Sequence, residues 1–255
     1  MSDTHEVAAS FEHDGRVLRL TLNGSKGNIL DTRMLAGIEA AIARVHPEVT
    51  AIVFRGHGKH FSFGASVEEH QRDQAAEMLR RFHSLFLALA ELSIPTCALV
   101  DGQCLGGGLE LAAWCTWVAA TPKARLGQPE IMLGVFPPMA SIVLPWRAGG
   151  RAALDLCVSG RTVSADEAVA MGIVNAVTDD LEAWWTAHYD ANLAGRSASS
   201  LRFAERAARL RLYETLRHDL QPLERLYLDE LMATHDANEG IASFMERRAP
   251  RFEDR

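Results

Sequence analysis

Two isolated carboxylates, Glu110 and Glu130, stand where carboxylates are costly. Glu110 follows three glycines in "DGQCLGGGLELAAW" (residues 101–114), among Cys104, Leu105, Leu109, Leu111 and Trp114. Glu130 is the only acid in "GQPEIMLG" (residues 127–134), a loop shaped by Pro129 and flanking glycines. An unpaired carboxylate in apolar surroundings either keeps its proton or finds a donor. Two such groups, with pKa values pushed apart by their environments, can divide base and acid work on one water molecule. Spacing alone does not bring them together.

Gly106, Gly107 and Gly108 carry no side chains to obstruct a ligand approaching the backbone. Their N–H groups fall at the start of an apolar helix, where the dipole favours negative charge. The loop therefore reads either as a cradle for an oxyanion or phosphate, or as a tight strand-to-helix turn. It matches neither the GxxxxGK[ST] phosphate loop nor the GxGxxG dinucleotide loop.

The elements that must hold these loops follow from periodicity. Residues 16–22, 51–54, 96–100, 117–120 and 173–177 read as strands, and Asp31 caps a helix with Met34, Leu35, Ile38 and Ile42 on one face. A second helix is expected over residues 68–92, with Leu79, Phe82, Phe86 and Leu89 on one side. Ser66 and Glu69 fit a capping box at its start. Alternating strands and helices predict an α/β architecture with largely parallel pairing. After about residue 178 strand signals fade, and the spacing of Leu201, Ala204, Ala208 and Leu212 predicts a helical C-terminal part that packs on a neighbour. The division expected is an α/β core over residues 1–190 and a helical region over 191–255.

The chain has 255 residues, 48% hydrophobic and 23% charged, with a net charge of −7. That balance argues against a nucleic-acid partner, which needs a concentrated basic surface. No apolar run reaches the roughly 18 residues of a membrane span, and the polar, acidic N-terminus lacks signal-peptide features. Four cysteines without CxxC spacing suggest reduced core thiols in a cytoplasmic protein. No metal is expected: His57 and His60 read as a solvated loop, and Glu68, Glu69 and His70 as a helix's first turn.

The stretch "GQCLGGGLELAAWCTWVAATPKARLGQPEIMLG" resembles the enoyl-CoA hydratase/isomerase (crotonase) superfamily, whose signature is a GGG-x-E loop followed by a GxPE loop. The resemblance continues at residues 23–30, at "FSFGASV" (61–67), at 160–174 and at "DANEGI" (236–241). It implies a crotonase-like spiral of ββα units whose C-terminal helices serve oligomerisation, in homotrimers or hexamers built as dimers of trimers. It implies an acyl-CoA substrate and no separate cofactor. It places an oxyanion hole at the backbone N–H groups of Ala65 and Gly107, and the two catalytic glutamates at Glu110 and Glu130. Retention of both glutamates favours hydration over double-bond isomerisation.

By the same resemblance, CoA threads between residues 23–30, including Lys26, and a segment containing Gly64, Ser66, Val67 and Glu68. Phe244 and Arg247 match positions near the adenine end of a neighbour's CoA, with Arg248 as an alternative; a solvated basic tail reads equally well. Ser66 departs from the Asp that most relatives carry. Pro137, Pro138 and Met139 in "GVFPPMAS" replace a glycine-rich segment and predict a stiffer, bulkier acyl wall. Within the superfamily these segments most resemble the cyclohexa-1,5-diene-1-carbonyl-CoA hydratases. The alternatives are a general enoyl-CoA hydratase or isomerase of fatty-acid oxidation, a CoA-thioester hydrolase, or a non-catalytic scaffold.

Overall fold

Runs that are apolar at every position, such as residues 96–100, need a layer on each face. The computed structural model, which describes residues 6–255 without the side chains of Ser25 and Lys26, supplies both layers. A six-stranded sheet has the order β1 (Val7–Glu12), β2 (Val17–Leu22), β3 (Ala51–Gly56), β4 (Thr96–Val100), β6 (Trp117–Ala120), β9 (Ala176–Val177). All neighbours are parallel except the β1–β2 hairpin. A second sheet of three strands, β5 (Gln103–Leu105), β7 (Arg125–Gly127) and β8 (Thr162–Ser164), stands apart from it.

The period of two along the strands sorts side chains between two cores. Leu18, Leu20, Leu22, Ile52, Phe54, Ala98 and Val100 face the main core. The helices α2 (Thr32–Ile42), α3 (Ala75–Leu92), α4 (Gly107–Trp114) and α5 (Pro138–Ala148) pack there. Val17, Ala51, Val53, Cys97 and Leu99 point the other way, against Leu181, Trp185 and Tyr189 of α8 (Leu181–Asn192). The C-terminal region is helical, as its composition predicts, with α9 (Ala198–Ala208), α10 (Leu210–Arg225) and α11 (His235–Met245). It is not held in reserve for a neighbour alone: Leu212, Tyr213, Leu216 and Leu220 of α10 join this chain's own main core. Between α5 and α8 lie α6 (Gly150–Ser159) and α7 (Ala165–Ala170), while α1 (Ser25–Asn28) is one turn after β2.

Asp31 caps α2, its carboxylate accepting from Arg33 N and Met34 N. Three expectations are corrected. The helix expected over 68–92 is broken into a 3-10 turn, Glu68–His70, and α3, because Gln71 adopts an extended conformation while the His70 ring takes the Ser66 carbonyl at 2.6 Å. The capping box is half made: Ser66 Oγ accepts from Glu69 N at 3.4 Å, but the Glu69 carboxylate accepts from Thr32 N instead. The strand expected over 173–177 shrinks to Ala176–Val177, because Ile173 N and Val174 N both donate back to Ala168 O and close the end of α7.

Candidate active site

Three chain segments leave the small sheet side by side, and each delivers part of one cleft. Strands β5 and β7 run parallel with Leu105 opposite Gly127, and Gly106 N donates to Gly127 O at 2.9 Å. Loops leaving the same ends of adjacent parallel strands necessarily meet. The loop after β5 enters α4 and carries Glu110; the loop after β7 carries Gln128 and Glu130. On the other side of β5, Ser62 bridges Cys104, and Leu105 N donates to Ser62 O, which brings residues 62–65 alongside. The structure thus brings together Gly64, Ala65, Val67, Gly107, Glu110 and Glu130 along one cleft.

The backbone geometry explains the glycines. Gly106 has φ +51, and a Cβ there would lie 2.5 Å from Glu130 Oε1. Gly64 has φ +98, and a Cβ there would meet Leu105 O and Gly107 N. With those side chains absent the segments close up until a Cβ on Gly107 would stand 3.1 Å from Ala65 N. Among the described residues, neither the Ala65 nor the Gly107 N–H has a hydrogen-bond acceptor.

Residues 62–65 are tied from behind. Asn28, buried and at φ +57, donates its side-chain amide to the carbonyls of His57 (3.1 Å), His60 (2.9 Å) and Phe61 (3.2 Å). Ser62 Oγ donates to Asn28 O and accepts from Gly64 N, and Leu30 N donates to Gly64 O. His60, read from sequence as solvated loop, accepts from Gln103 N on its Nδ1 and belongs to this scaffold.

Glu110, in the first turn of α4, is only 4% exposed. Its Oε1 accepts from Ala140 N at 2.6 Å. Ala140 lies in the first turn of α5, where Pro138 occupies the opening position and helix N–H groups have no internal acceptors. Burial pushes the Glu110 pKa up to about 7, against the backbone donors at Ala140 and Met139, which favour the carboxylate. Glu130 is partly exposed; burial and then the charge of Glu110 raise its pKa well above the usual carboxylate range. Gln128 is fully buried, and its amide, oriented to satisfy both groups, donates to Glu130 Oε1 (3.2 Å) and Oε2 (3.0 Å). Two neighbouring carboxylates, both with pKa values raised by burial, are the result, a suitable arrangement for moving a proton near neutral pH.

The rest of the cleft is a mostly apolar slot between Met78, Leu79 and Phe82 of α3 and Val135, Phe136 and Pro137. His70 and His83 also line it, though sequence reasoning assigned neither to the site. Burial lowers the His70 pKa. Ser66 lies beside the cleft in its turn; Glu68 is exposed and outside it, as are Phe244 in the last turn of α11 and Arg247 just past its end. The alternative, Arg248, is engaged by Glu239 and Glu246. The Lys26 side chain lies outside the described residues. Gln128, Ala140 and Asn28 were missed; the Gln beside Pro129-Glu130 was the one legible signal among them.

Comparison with known proteins places this geometry in a class. Residues 12–255 match the profile of the enoyl-CoA hydratase/isomerase family, and the chain belongs to that family. It is 44% identical over 247 residues to cyclohexa-1,5-dienecarbonyl-CoA hydratase of Thauera aromatica, covering 96% of each chain. It is 32% identical to 2,3-dehydroadipyl-CoA hydratase of Escherichia coli (strain K12), covering 94% of this chain and 96% of that one. A solved enoyl-CoA hydratase from Mycobacterium avium subsp. paratuberculosis K-10 superimposes with a TM-score of 0.84 at 27% identity, covering 98% of this chain and 99% of that one. The shared architecture is the crotonase fold.

Proposed function

We propose that the protein is a hydro-lyase that adds water to a ring dienoyl thioester, cyclohexa-1,5-diene-1-carbonyl-CoA. The observation that carries the hydratase reading is the pair of glutamates with raised pKa values on one cleft beside two backbone donors that have no acceptor among the described residues. The thioester oxygen sits at Ala65 N–H and Gly107 N–H, where each donor is worth about 3–4 kcal/mol once the enolate charge develops. Glu110, whose carboxylate form the backbone donors at Ala140 and Met139 favour, acts as the base; it takes a proton from water as the oxygen attacks the conjugated system. Glu130, whose proton burial and the Glu110 charge help to retain, delivers it to carbon as the enolate collapses. The sum is one water added, with Glu110 protonated and Glu130 ionised until the proton is exchanged. The chemistry needs no metal or cofactor beyond the CoA of the substrate.

The ring substrate is supported by the relationship to the Thauera aromatica hydratase and by the acyl wall. Pro137 and Pro138 stiffen that wall where it opens α5 and points its N–H groups at Glu110. A fixed slot suits a flat ring better than a chain of variable length. Displacing the reacting carbon by an ångström costs about 100-fold. Side-by-side rates are expected to give kcat/KM at least about tenfold higher for the ring dienoyl thioester than for crotonyl-CoA. Equal or reversed rates would return the protein to the general enoyl-CoA hydratases.

Assembly and location complete the reading. No helix among the described residues is long and apolar enough to cross a membrane. The four cysteines are unpaired, which suits the reducing cytoplasm. Leu154 (65% exposed) and Val158 (63%) form a stripe on α6, with Met132 at its end. Uncovered apolar stripes of this kind mark interfaces. Light scattering is expected to report a trimer or hexamer, with Phe244 and Arg247 free to reach a neighbour's CoA; a monodisperse monomer would remove both assignments.

A further inference from the structure

The slot that receives the acyl group is apolar on nearly every side, yet among the described residues it contains one buried side-chain polar atom without a partner. His83 of α3 is 1% exposed and lines the cleft one residue after Phe82, whose ring lies against Gly107. Its Nδ1 lies 2.6 Å from Oε1 of Glu224, on the last turns of α10. The carboxylate makes Nδ1 the donor, and in the neutral ring Nε2 is then left with a lone pair. That Nε2 is buried and has no hydrogen-bond partner among the described residues. Buried polar atoms are almost always satisfied, and an exception beside a binding cleft points to a group supplied from outside.

A second orphan lies close by on the same helical segment. Tyr227, three residues after Glu224, is 1% exposed and its hydroxyl is also unpartnered. Its ring packs edge-on against Phe136, at 5.4 Å between centroids, on the opposite wall of the slot. The π-helical turn Leu226–Glu230 that carries it is a rare element, frequent at functional sites. The end of α10 and this turn therefore add a polar corner behind the acyl slot, reached from the cleft through His83.

We propose that His83, held by Glu224, is a specificity residue that accepts a hydrogen bond from a hydroxyl on the acyl group, so that the slot holds a hydroxylated acyl thioester more tightly than a wholly hydrocarbon one of the same shape while still admitting the hydrocarbon dienoyl substrate. The hydration product belongs to that class, which gives the polar corner a purpose in the reaction read in either direction. This inference rests on the hydratase reading above.

The test compares two ring thioesters that differ by one hydroxyl: the isolated hydration product and cyclohex-1-ene-1-carbonyl-CoA. Their dissociation constants are measured by displacement titration on the intact enzyme, on His83→Leu and on His83→Gln. The intact enzyme is expected to prefer the hydroxylated ligand by about tenfold, the size of one net hydrogen bond. His83→Leu should erase that preference, and His83→Gln, which keeps an acceptor, should restore part of it. Unchanged affinity for free CoA and an unchanged oligomer mass show that each variant is folded. If the intact enzyme shows no preference, or His83→Leu retains it, the inference is overturned and Nε2 holds a buried water. Failure of the hydratase reading is separately visible, as absence of mass gain when the intact enzyme meets the ring dienoyl thioester.

Discussion

Ala140 donates its backbone N–H to Glu110 across 2.6 Å, so the first turn of α5 aims at the first-turn carboxylate of α4. Burial raises the Glu110 pKa, and the donors at Ala140 and Met139 oppose it, so that the value stands at about 7. The opening turn of α5 therefore acts on the chemistry as well as on the shape of the slot.

Replacing either glutamate tests the division of labour. Glu110→Gln and Glu130→Gln should each lower kcat by at least about 100-fold in a hydration assay on the ring dienoyl thioester. A variant that keeps near-full activity would remove its residue from the mechanism.

Stability should move the other way for Glu110. Its pKa rises from 4.5 unfolded to about 7 folded, so the folded state holds the proton longer. The stability this provides is fully present below pH 4.5 and is lost as pH rises to about 7, by on the order of 3 kcal/mol. Gln cannot ionise and can still accept from Ala140. Urea unfolding should therefore show Glu110→Gln gaining on the parent between pH 5 and pH 8, and no gain would mean the carboxylate is solvated.

The same shifts shape the activity profile. kcat/KM should fall below about pH 7 as free Glu110 takes up its proton, and fall again at higher pH as Glu130 loses its own. Glu110→Gln should abolish the acid limb in whatever rate remains.

Gln128 should matter through Glu130. Its amide holds both carboxylate oxygens, so Gln128→Leu removes donors that favour the charged form. The alkaline limb should move to higher pH, and kcat should fall by about tenfold with little change in KM. An unmoved limb would reduce Gln128 to packing.

Gly106→Ala gives a steric test. A Cβ would stand 2.5 Å from Glu130 Oε1 in a backbone with φ +51. The variant should lose about 100-fold in kcat, while unfolding shifts by only about 1–2 kcal/mol.

Much of this was written locally in the chain. Asp31 as a cap, the buried run at 96–100 and the isolation of Glu110 are short-range patterns, and the structure places each of these as its pattern implies. The motif order identified the family from the same local runs. What stayed hidden depends on distant pairing. β1 is a half-exposed edge strand with weak alternation, and β5, β7 and β8 are three residues each, too short for any period to register. The 68–92 run looks continuous because its apolar spacing is helical, whereas the break at Gln71 depends on a ring reaching back to Ser66 O. His83 reads as one more position on an amphipathic helix until Glu224, 141 residues later, arrives beside it.

The Asn28 amide, with its three carbonyl acceptors, gives the site an unusual relation to the fold as a whole. The segment bearing Ala65 N–H is anchored to the end of α1 near the start of the chain, while Gly107 N–H starts a helix that leaves the small sheet. Neither half exists as a local motif that a partly ordered chain could retain. Catalytic rate and cooperative unfolding should consequently share one denaturant midpoint, which makes enzyme activity a direct count of native molecules.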